Sequence, residues 1–168
     1  MRGLATVGII ALVDEVTGYQ ETRARDELNL ILEKYIAAEL LPWTKHFPDA
    51  FFKEIYRLHE WEYKPGSHKR PKYIGKLINE LIYKQLPPGV LPELQRRNPV
   101  TPKGYRKHKH FQFLTEETGN PHLDKQIVSV MTLMRVADNK DAFYRLFERA
   151  FPRGPQQLPL FLEEPEEQ

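Results

Sequence analysis

Apolar side chains recur along this chain three and four residues apart, in runs that proline or glycine cuts off. That spacing places them on one face of an α-helix, and no segment keeps the strict alternation of a half-buried strand. The pattern predicts an all-α fold of about seven helices. Residues 2–16 form the first run, with Leu4, Val7, Ile10 and Ala11 on one face and Gly18 as its stop. Residues 21–41 form the second, with Leu28, Ile31, Leu32, Tyr35, Ile36 and Leu40 in a stripe that Pro42 ends. The third follows Asp49 and carries Phe51, Phe52, Ile55, Tyr56 and Leu58. Pro71 opens the fourth, with Ile74, Leu77, Ile78, Leu81, Ile82 and the more distant Leu86. Lys72, Lys76, Glu80 and Lys84 fall on its outer face, and Pro87-Pro88-Gly89 closes it. Residues 90–97 give a short fifth helix. Asn120 and Pro121 open the sixth, and Asp138 or Asn139 caps the seventh. Between the fifth and sixth, residues 98–110 hold Pro99, Pro102 and Gly104 and read as a long loop.

A chain of 168 residues accommodates one compact domain, residues 1–152, followed by a flexible acidic tail, residues 153–168. Without cysteine it has no disulfide framework, thiolate zinc site or thiol nucleophile. No apolar run reaches the roughly 20 residues of a membrane helix. Leu4 to Val13 lacks a cleavage site and meets Asp14 and Glu15 at once, so it reads as a buried helix rather than a signal peptide.

The charge is unevenly spread. The formal net charge is only +2, yet residues 64–110 hold twelve Lys and Arg against two acids, Glu80 and Glu93. The surplus peaks at Gly104-Tyr-Arg-Lys-His-Lys-His-Phe-Gln-Phe-Leu-Thr115, where cations and rings interleave. Such a patch is an electrostatic footprint for phosphate. Lys69, Arg70, Lys72, Lys76, Lys103, Arg106, Lys107, Lys109 and His110 are therefore the expected nucleic-acid-binding residues, with Tyr105 or Phe111 free to stack on a base. The bland alternative is a solvated loop whose Phe111 and Phe113 turn inward.

Several blocks of the sequence belong together. They are Arg2-Gly-Leu-Ala, the run from Ile9 to Gln20, Leu41-Pro-Trp43, Arg70-Pro-Lys-Tyr-Ile-Gly75, the run from Ile82 to Leu91, Gly104 to His110 with Gln112, Leu114-Thr115, Gly119 and Pro121, and Arg149-Ala-Phe-Pro152. In this order they resemble the C-terminal domain family named after the "p-sixty-three" protein of a bacteriophage of myxobacteria, over residues 2–152. The resemblance implies a phage or prophage context and supplies no catalytic residues. Relatives of this kind often carry a further N-terminal region, so the chain reads as an excised module or a shortened protein.

The histidines admit two readings. His108 and His110 with Tyr105 could serve as general base and acid in metal-independent phosphodiester cleavage, since imidazole titrates near neutrality. Otherwise the histidines and Gln112 bond to backbone and shape the loop. No His-Glu-x-x-His pattern or third carboxylate ligand accompanies them, so no metal and no cofactor is expected. Asp14 and Glu15, before Thr17-Gly18, read as a turn rather than a catalytic pair.

In the tail, Gln157-Leu-Pro-Leu-Phe161 precedes an acidic end. It resembles the Gln-Leu-x-Leu-Phe motif by which bacterial replication and repair proteins dock on the DNA sliding clamp. Carried over, Gln157 is the polar anchor and Leu158, Leu160 and Phe161 fill the apolar pocket. The alternative folds those three apolar side chains back onto the domain.

These readings combine into a phage-type accessory protein of the bacterial cytoplasm, DNA-associated, without a membrane anchor, and non-catalytic. A nuclease and a host-directed protein-interaction module are the alternatives.

Overall fold

The structure is a computed structural model that describes residues 18–67 and 69–152. It contains six α-helices: α1 (Tyr19–Tyr35), α2 (Asp49–Leu58), α3 (Tyr73–Leu81), α4 (Val90–Arg97), α5 (Gly119–Val136) and α6 (Lys140–Ala150). Two short 3-10 turns, Tyr83–Gln85 and His110–Phe113, link them. Among the described residues the only β-type pairing is two isolated bridges, so the all-helical expectation holds. The helix expected over residues 2–16 and the tail from residue 153 lie outside the described residues.

The core forms where α2 lies against α5. α2 buries Phe51, Phe52, Ile55, Tyr56 and Leu58, half of its length. α5 answers with Leu123, Ile127, Val130 and Met134, spaced four, three and four apart as one helical face requires. Phe143 and Phe147 of α6 and Ile74, Leu77 and Leu81 of α3 complete the same cluster. Asn139 caps α6 as expected, accepting from the Ala142 N–H at 2.9 Å. Arg57 reaches from α2 to the Met134 and Ala137 carbonyls, at 2.6 and 3.1 Å, satisfying acceptors that the end of α5 leaves open.

Two helix ends differ from the periodicity. The second run continues in pattern to Leu40, but α1 stops at Tyr35, and Ile36 is extended at φ −100°, ψ 121°. The chain here pairs with residues 112–115 instead. The Ala37 N–H donates to the Phe113 carbonyl and the Leu41 N–H to the Gln112 carbonyl, each at 2.8 Å. The Thr115 N–H returns to the Tyr35 carbonyl at 2.9 Å, and Ile36 bridges Leu114. These long-range bonds replace the helical ones, and a β-branched residue suits the extended form. Ile36 is buried by this turn, whereas Leu40 stays 44% exposed. The fourth run likewise ends as a helix at Leu81. Gln126, buried in α5, donates to the Leu81 carbonyl at 3.0 Å, and Gln85 donates to the Glu80 carbonyl at 3.1 Å. Ile82, Tyr83 and Leu86 still reach the core through the 3-10 turn. Asn120 does not cap α5 from outside. It lies in the first turn and donates to the Leu114 carbonyl at 3.1 Å, while Thr115 accepts from the Gly119 N–H.

Candidate nucleic-acid interface

Residues 98–110 leave the end of α4 and return as a finger. Val100 bridges Arg106, and Thr101 donates to the Tyr105 carbonyl through both its N–H and its hydroxyl, each at 2.7 Å. Gly104 makes the turn at φ 83°, in the left-handed region that a side chain disfavours.

The returning arm sorts its residues with a period of two, as extended backbone does. Arg106, His108 and His110 are partly or fully buried, and all three meet Asn98, which is 2% exposed. Arg106 donates to the Asn98 carbonyl. The Asn98 amide donates to the His108 carbonyl at 2.8 Å, and its Nδ2 lies 3.5 Å from Nδ1 of His110. Tyr105, Lys107 and Lys109 alternate with these and are exposed. Lys103 is exposed at the tip. The finger thus presents three lysines and one ring, Tyr105 being 57% exposed, from a base locked by one buried amide.

His110 differs from the other expected contact residues. It is buried, its ring centroid 5.2 Å from that of Tyr83. Burial, reinforced by the Arg106 charge, pushes its pKa down to about 4, so the ring is neutral near pH 7. A neutral buried ring offers phosphate no charge, and the position belongs to the fold. His108 packs edge-on against Phe113. Gln112 does shape the loop, accepting from the Lys109 N–H at 3.0 Å and donating to the Leu41 carbonyl at 3.2 Å. Phe111 is buried and Phe113 packs partly buried against the core.

The remaining cations divide. Lys64, Lys84, Arg96 and Arg97 are paired with Glu62, Glu80 and, for both arginines, Glu93. Hydrogen bonds from Arg96 and Arg97 hold the Glu93 carboxyl down at about 2. Arg70 lays its guanidinium 3.4 Å over the Phe52 ring centroid. Lys69, Lys72, Lys76, Lys103, Lys107 and Lys109 have no carboxylate of a described residue within ion-pair distance. They form two groups. Lys69 and Lys72 lie at the start of α3, whereas the finger meets the far end, where Tyr83 touches His110. The nine residues of α3 put about 13 Å of helix between them.

The family model of the p-sixty-three C-terminal domain matches residues 31–123. The chain belongs to the p-sixty-three C-terminal domain family. The matched span of that domain, more than half the chain, takes in the finger, Asn98 and those six lysines, while the blocks at residues 2–20 and 149–152 fall outside it. No curated protein and no solved structure matches the chain.

A second constellation, at the edge of the matched span, carries no signal in the sequence. The Thr44 hydroxyl lies 2.9 Å from Nε2 of His46, whose Nδ1 lies 2.8 Å from Asp124. The order is that of a nucleophile, a base and its orienting acid. The nearby N–H groups of Gly119 and Asn120 are already bonded to Thr115, so they are not free to hold an oxyanion. With His46 tilted on Phe111 at 4.9 Å, the chain of bonds fastens the segment before α2 onto α5. No group of three His, Cys, Asp or Glu side chains suited to a metal occurs among the described residues. No helix among them is long and apolar enough to cross a membrane.

Proposed function

We propose that this member of the p-sixty-three C-terminal domain family is a phage- or prophage-type accessory protein that associates with DNA without catalysing a reaction on it. One observation carries the reading: Lys103, Lys107 and Lys109 stand exposed, with no carboxylate partner among the described residues, beside exposed Tyr105, on a finger whose base is fixed by buried Asn98. Fixing the backbone lowers the ordering cost of bringing these groups to a phosphate chain. Lys69, Arg70, Lys72 and Lys76 form a second positive group around the start of α3, separate from the finger, and Arg106 adds charge behind the finger. Contacts of this kind give affinity with little choice of base sequence. In the tail, Gln157, Leu158, Leu160 and Phe161 supply a docking peptide for the bacterial sliding clamp, which would bring the domain to replicating DNA in the host cytoplasm.

The experiment is DNA binding by the wild type and a Lys103→Ala/Lys107→Ala/Lys109→Ala variant across a salt series. The reading expects weaker binding on every sequence and a log–log salt slope shallower by roughly three. Unchanged affinity and slope would reject it.

A further inference from the structure

A cleft of about 380 Å3 opens between α2 and the segment that follows it, lined by Tyr56, Tyr63, Lys64, Lys69 and Arg70 together with Lys45, Asp49 and Glu62. Two of its four cations are matched: Lys45 pairs with Asp49 at 3.1 Å and Lys64 with Glu62 at 3.3 Å. Lys69 and Arg70 are left without a carboxylate among the described residues. The Arg70 guanidinium carbon lies 3.4 Å from the Phe52 ring centroid, a cation–π contact that helps to fix its position without supplying a counter-charge. The Lys69 N–H donates to the Ser67 hydroxyl at 3.3 Å, holding the backbone that carries its side chain.

The wall is aromatic. Tyr56, 8% exposed, meets Tyr63 edge-on at 5.4 Å and Trp61 edge-on at 5.8 Å. Tyr63 and Trp61 are themselves only half-buried. A T-shaped contact covers at most one face of one of its two rings, and Tyr63 is only half-buried, so a partly exposed tyrosine ring beside two cations without a carboxylate among the described residues offers stacking and phosphate binding together. A duplex keeps its bases inside the stack and cannot use such a face.

We infer that this cleft takes one unpaired nucleotide of a single strand, its base against Tyr63 and its phosphate between Lys69 and Arg70. The inference rests on the DNA-association reading and sharpens it: the finger grips phosphates of either form, while the cleft selects single strands. A preference for single-stranded DNA follows.

The test is fluorescence anisotropy with a labelled dT12 oligonucleotide and a 12-base-pair duplex. Wild type, Lys69→Gln, Tyr63→Leu and Tyr63→Phe proteins are compared after their melting curves confirm folding. The expected result is tighter wild-type binding to dT12. Tyr63→Leu should weaken dT12 binding about fivefold or more with duplex affinity within about twofold, Lys69→Gln should weaken dT12 binding more than duplex binding, and Tyr63→Phe should behave as wild type. Wild-type binding to both DNAs that Lys69→Gln and Tyr63→Leu leave unchanged, or weaken equally for both, overturns the cleft while the finger stands. Wild-type binding to neither overturns both readings.

Discussion

The Asn98 side chain donates to the His108 carbonyl at 2.8 Å, joining the end of α4 to the returning arm of the basic finger ten positions later. The same residue accepts from Arg106 through its backbone carbonyl, and its own N–H closes α4 on Leu94 at 2.9 Å. One buried residue therefore closes a helix through its backbone and, through its side chain, holds the arm of the finger that presents the surface lysines.

Replacing Asn98 by Ala removes the amide and leaves the buried side of the His108 carbonyl without its donor. Stability should drop by about 2 kcal/mol, read from the midpoint of urea unfolding. The finger should also open locally, so trypsin should cut after Lys103 and Lys107 faster in the variant under native conditions. Equal cleavage rates would show that the finger holds its shape without Asn98.

A pair of glycines separates close packing from helix propensity. A Cβ on Gly119 would lie 2.7 Å from the Tyr35 carbonyl oxygen and 2.8 Å from Cβ of Leu114. Neither neighbour can swing away, because Tyr35 is bonded to Thr115 there. Gly119→Ala should cost about 2 kcal/mol or more. Gly75, in α3, has nothing within 4 Å of the same atom. Gly75→Ala should raise stability by about 0.5–1 kcal/mol, since alanine is the better helix former. Thermal melts of the two variants, shifted in opposite directions, check both.

The helices were legible because each buried face repeats locally. Phe51, Phe52, Ile55 and Tyr56 announce α2, and Leu123, Ile127, Val130 and Met134 announce α5, without reference to the rest of the chain. The end of α1 was not legible, since Ile36 leaves the helix to bond with residues almost eighty positions away. The finger was readable as a basic loop but its two faces were not. Period-two sorting of Arg106, Lys107, His108, Lys109 and His110 shows only once Asn98 is known to lie behind them, and a lone asparagine before a proline reads as an ordinary turn residue. Charge counting alone also merges Arg96 and Arg97 with the lysines, although Glu93 holds both. Thr44, His46 and Asp124 come together only through the packing of the segment before α2 on α5.

Buried His110 makes stability depend on pH. Its pKa in the folded protein, about 4, lies below the ordinary value of 6.5. The unfolded chain therefore takes up a proton first as pH falls. Stability is complete above about pH 6.5 and declines as pH drops toward 4, by at most about 3 kcal/mol from this group. His122, lowered in the same direction by burial, adds to the decline, and Glu93 acts only below about pH 4.5. Urea unfolding of wild type and His110→Phe at pH 7.5, 6.5, 5.5 and 4.5 isolates the contribution. The variant should lose less stability across that window, since His122 and Glu93 are common to both.

The tail makes a prediction independent of the finger. Gln157-Leu-Pro-Leu-Phe161 lies outside the described residues, so only its sequence bears on the matter. Leu158, Leu160 and Phe161 are large apolar groups in an otherwise acidic, proline-containing end, and burial in a partner's pocket gains about 1.5–3 kcal/mol for each. Purified sliding clamp should retain the full chain. Leu160→Ala/Phe161→Ala should weaken retention about a hundredfold or more, because it removes two such side chains. Pro159→Ala should be retained nearly as the wild type, since that position of the motif is variable and proline there only favours an extended shape. Repeating the measurement with the Lys103→Ala/Lys107→Ala/Lys109→Ala variant in nuclease-treated samples removes DNA as a bridge. Retention that survives loss of Leu160 and Phe161 would rule out the peptide as the docking element, and retention lost with the lysines would trace it to shared nucleic acid.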